Sequence, residues 1–334
     1  MFVNQRNTIA CGMCHSVALL SDGTVRCWGN NNWHQCNSVH LTFTNVIQLV
    51  CKEKHSVALL SNGTVRCWGH KQRNPFHISL TNIVQIDCGI SHSVALLSNG
   101  TVRCWGNNKL NQCDPVHLSI TDVMQVFCGL NHSVALLLNN TIQCWGDNSR
   151  NQCDSIHKTF TNVIQISCGY SHSVALFSNN TIQCWGDNKY NQCDIVHRTF
   201  TDVIQVVCGH YHSVALFKNG SVQSWGGYFY RKCIFEEFTN VIQVACGSSH
   251  SVALLSNGTI RCWGNNDGNT FDPIYHTFTN VVQVACGTWH SVALLADGTV
   301  RVWGDNLFNQ CDPVHLTITN VQLPSPPDTT VLLW

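Results

Sequence analysis

One phrase returns eight times along this chain: Cys-Gly, two variable residues, His-Ser-Val-Ala-Leu, a tight turn, then Trp-Gly. The histidines are His15, His55, His92, His132, His172, His212, His250 and His290. The tryptophans are Trp28, Trp68, Trp105, Trp145, Trp185, Trp225, Trp263 and Trp303. Each tryptophan follows its histidine by 13 residues, and successive histidines lie 37 to 40 apart. A period of that size marks a solenoid or a propeller, because one such unit must stack on its neighbours to bury its apolar faces. It also bears on function. Eight near-copies of one unit are a poor way to build one asymmetric catalytic site.

A single copy reads as short strands. In the copy from Asn162, the run Val163-Ile164-Gln165-Ile166-Ser167-Cys168 is rich in β-branched residues, and Gly169 follows it. His172 to Phe177 is a second strand, and Thr181 to Trp185 is the return strand. Apolar, β-branched runs bounded by Gly, Asn and Asp are strand and turn signals. Between the second and third strands sit Asp22-Gly23, Asn62-Gly63, Asn99-Gly100, Asn219-Gly220, Asn257-Gly258 and Asp297-Gly298, with Asn139-Asn140 and Asn179-Asn180 in copies four and five. These pairs tolerate the positive φ of a two-residue hairpin turn. A fourth short strand is expected around Ile156 to Phe160.

Three or four strands in about 40 residues make one propeller blade. The expectation is therefore all-β: a single β-propeller over residues 1–323. Its repeats span about 8–50, 51–87, 88–127, 128–167, 168–207, 208–245, 246–285 and 286–323. A Pro-rich C-terminal tail, 324–334, ends in apolar residues and is expected to dock on the ring.

Charge narrows the partners. Only 11% of residues are charged, and 18 basic residues balance 18 acidic ones. A sequence-independent grip on nucleic acid needs an excess of Lys and Arg, so direct nucleic-acid binding is not expected. No apolar stretch approaches the ~18 residues of a membrane span. Met1 to Ile9 is polar and lacks the zones of a signal peptide, so an intracellular location, cytoplasm or nucleus, is expected.

The combination Cys-Gly-x-x-His-Ser-Val-Ala-Leu, Asn/Asp-Gly-Thr-Val and Cys-Trp-Gly-x-Asn resembles the regulator of chromosome condensation repeat family, over roughly residues 8 to 323. The resemblance implies a β-propeller with Gly and Ala at tightly packed strand positions. Propellers of this family usually have seven blades; eight copies argue for eight, with seven plus an unusual terminal unit as the alternative. It further implies that the chain ends share a blade, with Thr319 to Leu323 beside Thr8 to Cys11. The founding member exchanges guanine nucleotide on a small GTPase using loops inserted into longer repeats, and it carries a basic tail for chromatin. The short repeats here leave little room for such insertions. A short-repeat relative inhibits β-lactamase purely by protein binding.

No cofactor or metal is expected, and no catalytic constellation. Ser follows His in every copy, but neighbours on a strand point to opposite faces, so the pair is not a nucleophile and its base. Carboxylates are sparse, and no Gly-rich phosphate loop is present. The eight histidines are expected to hydrogen-bond neighbouring backbone within the ring.

Most of the 21 cysteines hold one of three repeat positions: before the Gly (Cys11, Cys51 and equivalents), before the Trp (Cys27, Cys67 and equivalents), and nine residues later (Cys36, Cys113, Cys153, Cys193, Cys233, Cys311). Cys14 alone stands outside this scheme. Buried thiols acting as small apolar side chains explain the first two positions best, since strands flanking a common neighbour are ~10 Å apart, too far to bridge. The third position is looser, open to pairing between blades or between molecules. A Cys-x-x-x-His spacing supplies only two ligands per copy, where structural zinc takes four. Six Asn-x-Ser/Thr sequons all begin at hairpin asparagines, so turn chemistry explains them.

What varies among the copies carries the information about partners. The pair inside Cys-Gly-x-x-His presents Tyr170, Tyr211 and Trp289 in three copies. The loop after Trp-Gly presents Trp33, Tyr190 and Phe308, and in copy six the divergent Tyr228-Phe229-Tyr230-Arg231. Interfaces enrich Tyr, Trp and Arg, so these are the protein-binding candidates, with packing against their own blade as the alternative. The expected protein is thus a non-enzymatic scaffold. Its partner is itself, in a virion or nucleoprotein assembly, or one other protein capped through a ring face; a small GTPase is the alternative partner.

Overall fold

The computed structural model describes residues 8–36, 43–70, 80–113, 120–154, 160–194, 200–227, 239–266, 277–311 and 318–324. Within them lie eight separate three-stranded antiparallel sheets, one per repeat, each in chain order. Blade 1 is Ile9–Cys11, His15–Leu19 and Val25–Gly29. Blade 5 is Val163–Cys168, His172–Phe177 and Ile182–Gly186, close to the reading from sequence. The expected fourth strand lies mostly outside the described residues. Phe160, its last residue, packs against Phe177 and Trp185, with ring centroids 5.6 and 5.7 Å apart.

The middle strand explains why the blades stack. His-Ser-Val-Ala-Leu is buried at every position, on both faces of the sheet, in all eight blades. One face meets the preceding blade and the other the following one. Between blades 3 and 4, for example, Val94, Leu96 and Val102 pack against Val123, Val126, Ala135 and Trp145. Truncating an indole such as Trp145 to Ala in a layer like this costs ~3–5 kcal/mol.

The hairpins differ from expectation. Gly23 N–H donates to Leu20 O at 2.9 Å and Leu20 N–H to Thr24 O at 2.8 Å, a three-residue loop ending in one left-handed residue. Gly23 has φ 80°, while Asp22 does not adopt positive φ. A two-residue turn of the mirror type would need both. The reason is the Asp/Asn side chain: Asp22 Oδ1 accepts from Thr24 N–H (2.9 Å) and Thr24 Oγ1–H (2.6 Å), tying the turn from within. The sequon asparagines Asn62, Asn99, Asn139, Asn179, Asn219 and Asn257 all make this same pair of bonds.

The ring is closed by a split strand. The inner strand of blade 1 is only three residues long, Ile9–Cys11, and leaves the end of the middle strand unpaired. The C-terminal segment fills that gap: Val321 bridges Leu20, Gln322 N–H donates to Leu19 O and Ser21 N–H to Asn320 O. Val321 thus stands where Val46 pairs Leu60 in blade 2. The C-terminal residues run end to end with Thr8 to Cys11, rather than beside them. Both pieces edge the same middle strand, so the two chain ends together make one inner strand.

The eightfold Cys-Gly reading is wrong at one copy: Lys52 stands where the other seven carry Gly. In those blades the glycine is pressed against its own histidine, and a Cβ on Gly12 would overlap the His15 ring. Blade 2 makes room by extending its inner strand to Val46–Lys52, and Glu53 turns at φ 31°.

Candidate functional site

Each repeat histidine reaches out of its own blade. The Nε2 of His15 lies 2.7 Å from Ser56 Oγ, that of His92 2.8 Å from Ser133 Oγ, and that of His290 2.7 Å from Ser16 Oγ, which closes the circle. All eight histidines make this contact with the serine of the next blade. The weakest, His55 to Ser93 at 3.2 Å, belongs to the blade with Lys52. The expected backbone partner is joined by a serine side chain: Nε2 pairs with the serine Oγ, and His55, His172, His212 and His290 also hydrogen-bond the backbone of Ile90, His212, Ser248 and Met13 in the next blade. His and Ser on adjacent strand positions face opposite neighbours, so the His face of one blade meets the Ser face of the next.

A His–Ser contact at hydrogen-bond distance has the form of a base and a nucleophile. Its surroundings deny it that role, since each of these serines is at most 1% exposed and no substrate can reach it. Burial also depresses the histidines, to about 3 for His15, His92, His172 and His250 and about 4 for His55, His212 and His290. They are neutral imidazoles, a second circular girdle beside the apolar layers.

The tryptophans point the other way. Trp145, Trp185 and Trp225 donate their indole N–H to the carbonyls of Gln112, Gln152 and Gln192 in the preceding blade, at 2.9 to 3.0 Å. Trp263 donates to Ser224 Oγ at 2.7 Å, the residue that replaces the usual cysteine there. The glutamines in turn shape the loop after Trp-Gly. Gln35, Gln112, Gln152, Gln192 and Gln310 are at most 2% exposed. Their Oε1 atoms accept from the N–H groups of Trp33, Leu110, Arg150, Tyr190 and Phe308 at 2.7 to 2.8 Å. An Asn two residues past the Gly completes each of these five loops, as Asn31 Oδ1 does by accepting from Cys36 N–H at 2.9 Å.

The two variable elements leave the sheets at the same end. His15 pairs with Gly29, so the connection before the histidine and the loop after Trp-Gly emerge side by side. Hydrogen bonds join them: Asn30 N–H donates to Cys14 O, Asp187 N–H to Ser171 O and Asp305 N–H to Trp289 O. Among the described residues one face of the ring therefore carries both variable elements, and the near-invariant Asn/Asp turns form the other. Val84, Ile204 and Ile242 are exposed on the inner strands because each sits at a bulge where register shifts and pairing fails.

On the variable face the structure gathers some candidates and separates others. Tyr170, Tyr190 and Tyr211 come together across blades 5 and 6, with Tyr170 stacked on Tyr211 at 5.4 Å and Tyr190 edge-on to Tyr211 at 5.5 Å. Trp33 meets His70 at 4.3 Å, and Lys54 Nζ lies 5.2 Å over its ring. Both contacts are with the next blade, not with Trp33's own blade. Phe308 is 40% exposed on a third loop, and Trp289 is half-buried. The cluster Tyr228-Phe229-Tyr230-Arg231 lies outside the described residues. Leu110 (41% exposed) and Leu307 (82%) occupy the same loop tips, although leucine is not among the residue types that mark an interface in sequence.

The central channel opens at this face. Its cavity of about 130 Å³ is lined by the Cys-Gly pairs of five blades together with Cys51, Lys52 and Glu53 of blade 2, His210 and Thr288. That is well below the ~300 Å³ of ordinary small-molecule pockets. Glu53 Oε1 of blade 2 approaches His210 Nε2 of blade 6, on the opposite side of the ring, at 3.8 Å. Burial raises Glu53 and lowers His210 to about 3. Lys52, Glu53 and His210 thus narrow the channel mouth, while Lys54 turns away over Trp33. Among the described residues no three His, Cys, Asp or Glu side chains gather as a metal site, and no helix is long and apolar enough to cross a membrane.

Eight stacked blades, a neutral His–Ser girdle and one variable face define a β-propeller of the regulator of chromosome condensation type. The model of the regulator of chromosome condensation (RCC1) repeat matches residues 7–35, 46–74, 83–112, 123–152, 163–192, 203–227, 241–269 and 281–310, and the chain belongs to this family.

Solved structures share the fold. Prp20p from Saccharomyces cerevisiae, described with its binding properties to Gsp1p and histones, is similar at 23% identity, with TM-score 0.56 over 73% of this chain and 81% of that one. The CRINKLY ectodomain of the Arabidopsis thaliana receptor kinase ACR4 gives 18% identity and TM-score 0.58 over 78% and 96%. Human WBSCR16 gives 21% and 0.56 over 88% of each chain. A search of curated protein sequences returned no match.

Proposed function

We propose that this protein is a non-enzymatic interaction propeller whose variable face binds a protein partner. The observation that carries the reading is the convergence of both variable elements on one face, where buried glutamines hold loop tips bearing Trp33, Leu110, Leu307 and Phe308 ready for contact. Preformed loops lose little freedom on binding, and large exposed side chains on them are the usual anchors. Tyr170, Tyr190, Tyr211 and Trp289 extend this surface toward the channel. Residues 1–323 are taken as the binding domain and 324–334 as a Pro-rich tail, whose expected docking on the ring lies outside the described residues.

The partner favoured by the low charge and near-identical blades is a second copy of the chain, in a self-assembling particle within the cell or a virion. A second reading, a small GTPase or a chromatin protein, is supported by the fold shared with Prp20p, which binds Gsp1p and histones. Analytical ultracentrifugation of wild type and a Trp33→Ala/Leu307→Ala/Phe308→Ala variant tests the first. Reversible association that the triple variant abolishes supports it; a wild type monomeric up to ~100 μM, where any Kd tighter than that would show, contradicts it. Nucleotide-release assays on small GTPases test the second, and no acceleration at micromolar protein would exclude it.

A further inference from the structure

The third cysteine position sits in the loop after Trp-Gly. It folds back onto the cysteine before the tryptophan of its own blade: Cys27 Sγ and Cys36 Sγ are 2.7 Å apart. Cys144 and Cys153 are likewise in hydrogen-bond contact, while the Cys113 and Cys193 thiols, which meet the Asn107 and Asp187 carbonyls of their own loops at 3.7 and 3.4 Å, lie near enough to Cys104 and Cys184 to raise them. The four loops share one anchor. The N–H of Cys36, Cys113, Cys153 and Cys193 each donates to the asparagine five residues earlier, at 2.7 to 2.9 Å.

We propose that blades 1, 3, 4 and 5 each carry a dithiol that closes to a disulfide, stapling the loop after Trp-Gly to its own third strand. The pairs would be Cys27–Cys36, Cys104–Cys113, Cys144–Cys153 and Cys184–Cys193. The structure shows all of these as free thiols, the reduced form. The oxidant is a low-molecular-weight disulfide, RSSR. One cysteine thiolate attacks a sulfur of RSSR, forms a mixed disulfide and expels RS⁻, which takes up a proton. The neighbouring thiolate attacks the protein sulfur of that mixed disulfide, forms the Cys–Cys bond and expels the second RS⁻. Two protein thiols give up two electrons and two protons, and RSSR becomes two RSH.

Burial raises the Cys27, Cys104, Cys184 and Cys193 thiols and pushes Cys113 up to about 12, so closure is slow at neutral pH and faster as pH rises. The chain contains its own controls. Blade 8 has Val302 in place of the inner cysteine opposite Cys311, and Cys67 and Cys262 have phenylalanine nine residues on. This inference does not depend on what the variable face binds.

The test is incubation of the folded, reduced full chain with oxidised glutathione, then N-ethylmaleimide in denaturant and peptide mapping by mass spectrometry. Eight of the 21 thiols should escape alkylation, as four links within single blades and a mass loss of about 8 Da before alkylation. Cys67, Cys262 and Cys311 should be alkylated. Cys36→Ser should return Cys27 to the alkylated set and leave the other three links intact. The same treatment of the chain unfolded in guanidinium should lose this selectivity. Links joining other partners in the folded chain, or glutathione remaining on Cys36 and Cys113 without closure, would overturn the proposal.

Discussion

Acid should unfold this propeller abruptly, and the histidine girdle is the reason. Seven of the eight girdle histidines are held neutral by burial, with folded values of about 3 to 4 against an ordinary value near 6.5. A folded value below the unfolded one means that stability is intact above pH ~6.5 and is lost as pH falls from there toward 3. One pH unit below 6.5, each such histidine costs about 1.4 kcal/mol, because the unfolded chain takes up a proton that the folded chain refuses. Seven together remove ~10 kcal/mol, comparable to the ~5–15 kcal/mol that holds a typical domain folded. Asp87 and Glu53 are raised by burial and act with the opposite sign, but they are only two groups. The assay is urea unfolding followed by tryptophan fluorescence between pH 8 and pH 5. Stability should be nearly level down to pH 7 and then fall with a slope approaching the uptake of about eight protons, seven from the girdle and one from His210 at the channel. A His172→Gln variant should lower that slope by one proton. Stability at pH 5 within ~2 kcal/mol of its value at pH 8 would refute the reasoning, since it would mean the histidines are charged or solvated in the fold.

Four further outcomes are expected in the same urea assay. Ser133→Ala leaves His92 Nε2 without its partner 2.8 Å away and should cost ~1–3 kcal/mol; a loss below ~0.5 kcal/mol would show that the girdle bond contributes nothing. Ser224→Ala should cost a similar amount by orphaning the Trp263 N–H, whereas Ser224→Cys, which restores the residue of six other blades, should stay within ~1 kcal/mol of wild type. Gly89→Ala should destabilise by ~1–3 kcal/mol because its Cβ would strike the His92 ring, while Lys52→Gly should be tolerated; equal effects would contradict the packing described. Truncation after Ile318 removes the Val321 bridge and should lower the unfolding midpoint, a result that an unchanged midpoint would contradict.

The repeat period and the turn residues made the blade legible from sequence, because each strand is defined by contacts within one copy. What lay between copies was harder to read. The serine bonded by His132 is 41 residues away, Ser173, and no local pattern announces it. Strand alternation held the clue: His and Ser face opposite ways, and eight identical faces must meet eight identical partners. The Cys27–Cys36 contact was hidden differently. Its loop folds back because Gln35 and Asn31 bond to backbone N–H groups, a tie that composition alone does not reveal. Lys52 was visible as a broken repeat, yet its meaning required knowing that the replaced glycine packs against a histidine and lines the channel. Among the binding candidates, aromatic residues were found and Leu110 and Leu307 were not, since exposure on a loop tip is a property of the fold.

The central claim is that partners are bound through the variable face. Hydrogen–deuterium exchange of the chain, alone and in its associated or partner-bound state, tests this most directly. Protection is expected at Met13-Cys14, Tyr170-Ser171, His210-Tyr211 and the loops at 31–36, 188–193 and 306–311, with the hairpins at Asn99-Gly100 and Asn257-Gly258 unchanged. Protection confined to those hairpins, with the variable loops exchanging as in the free chain, would contradict it.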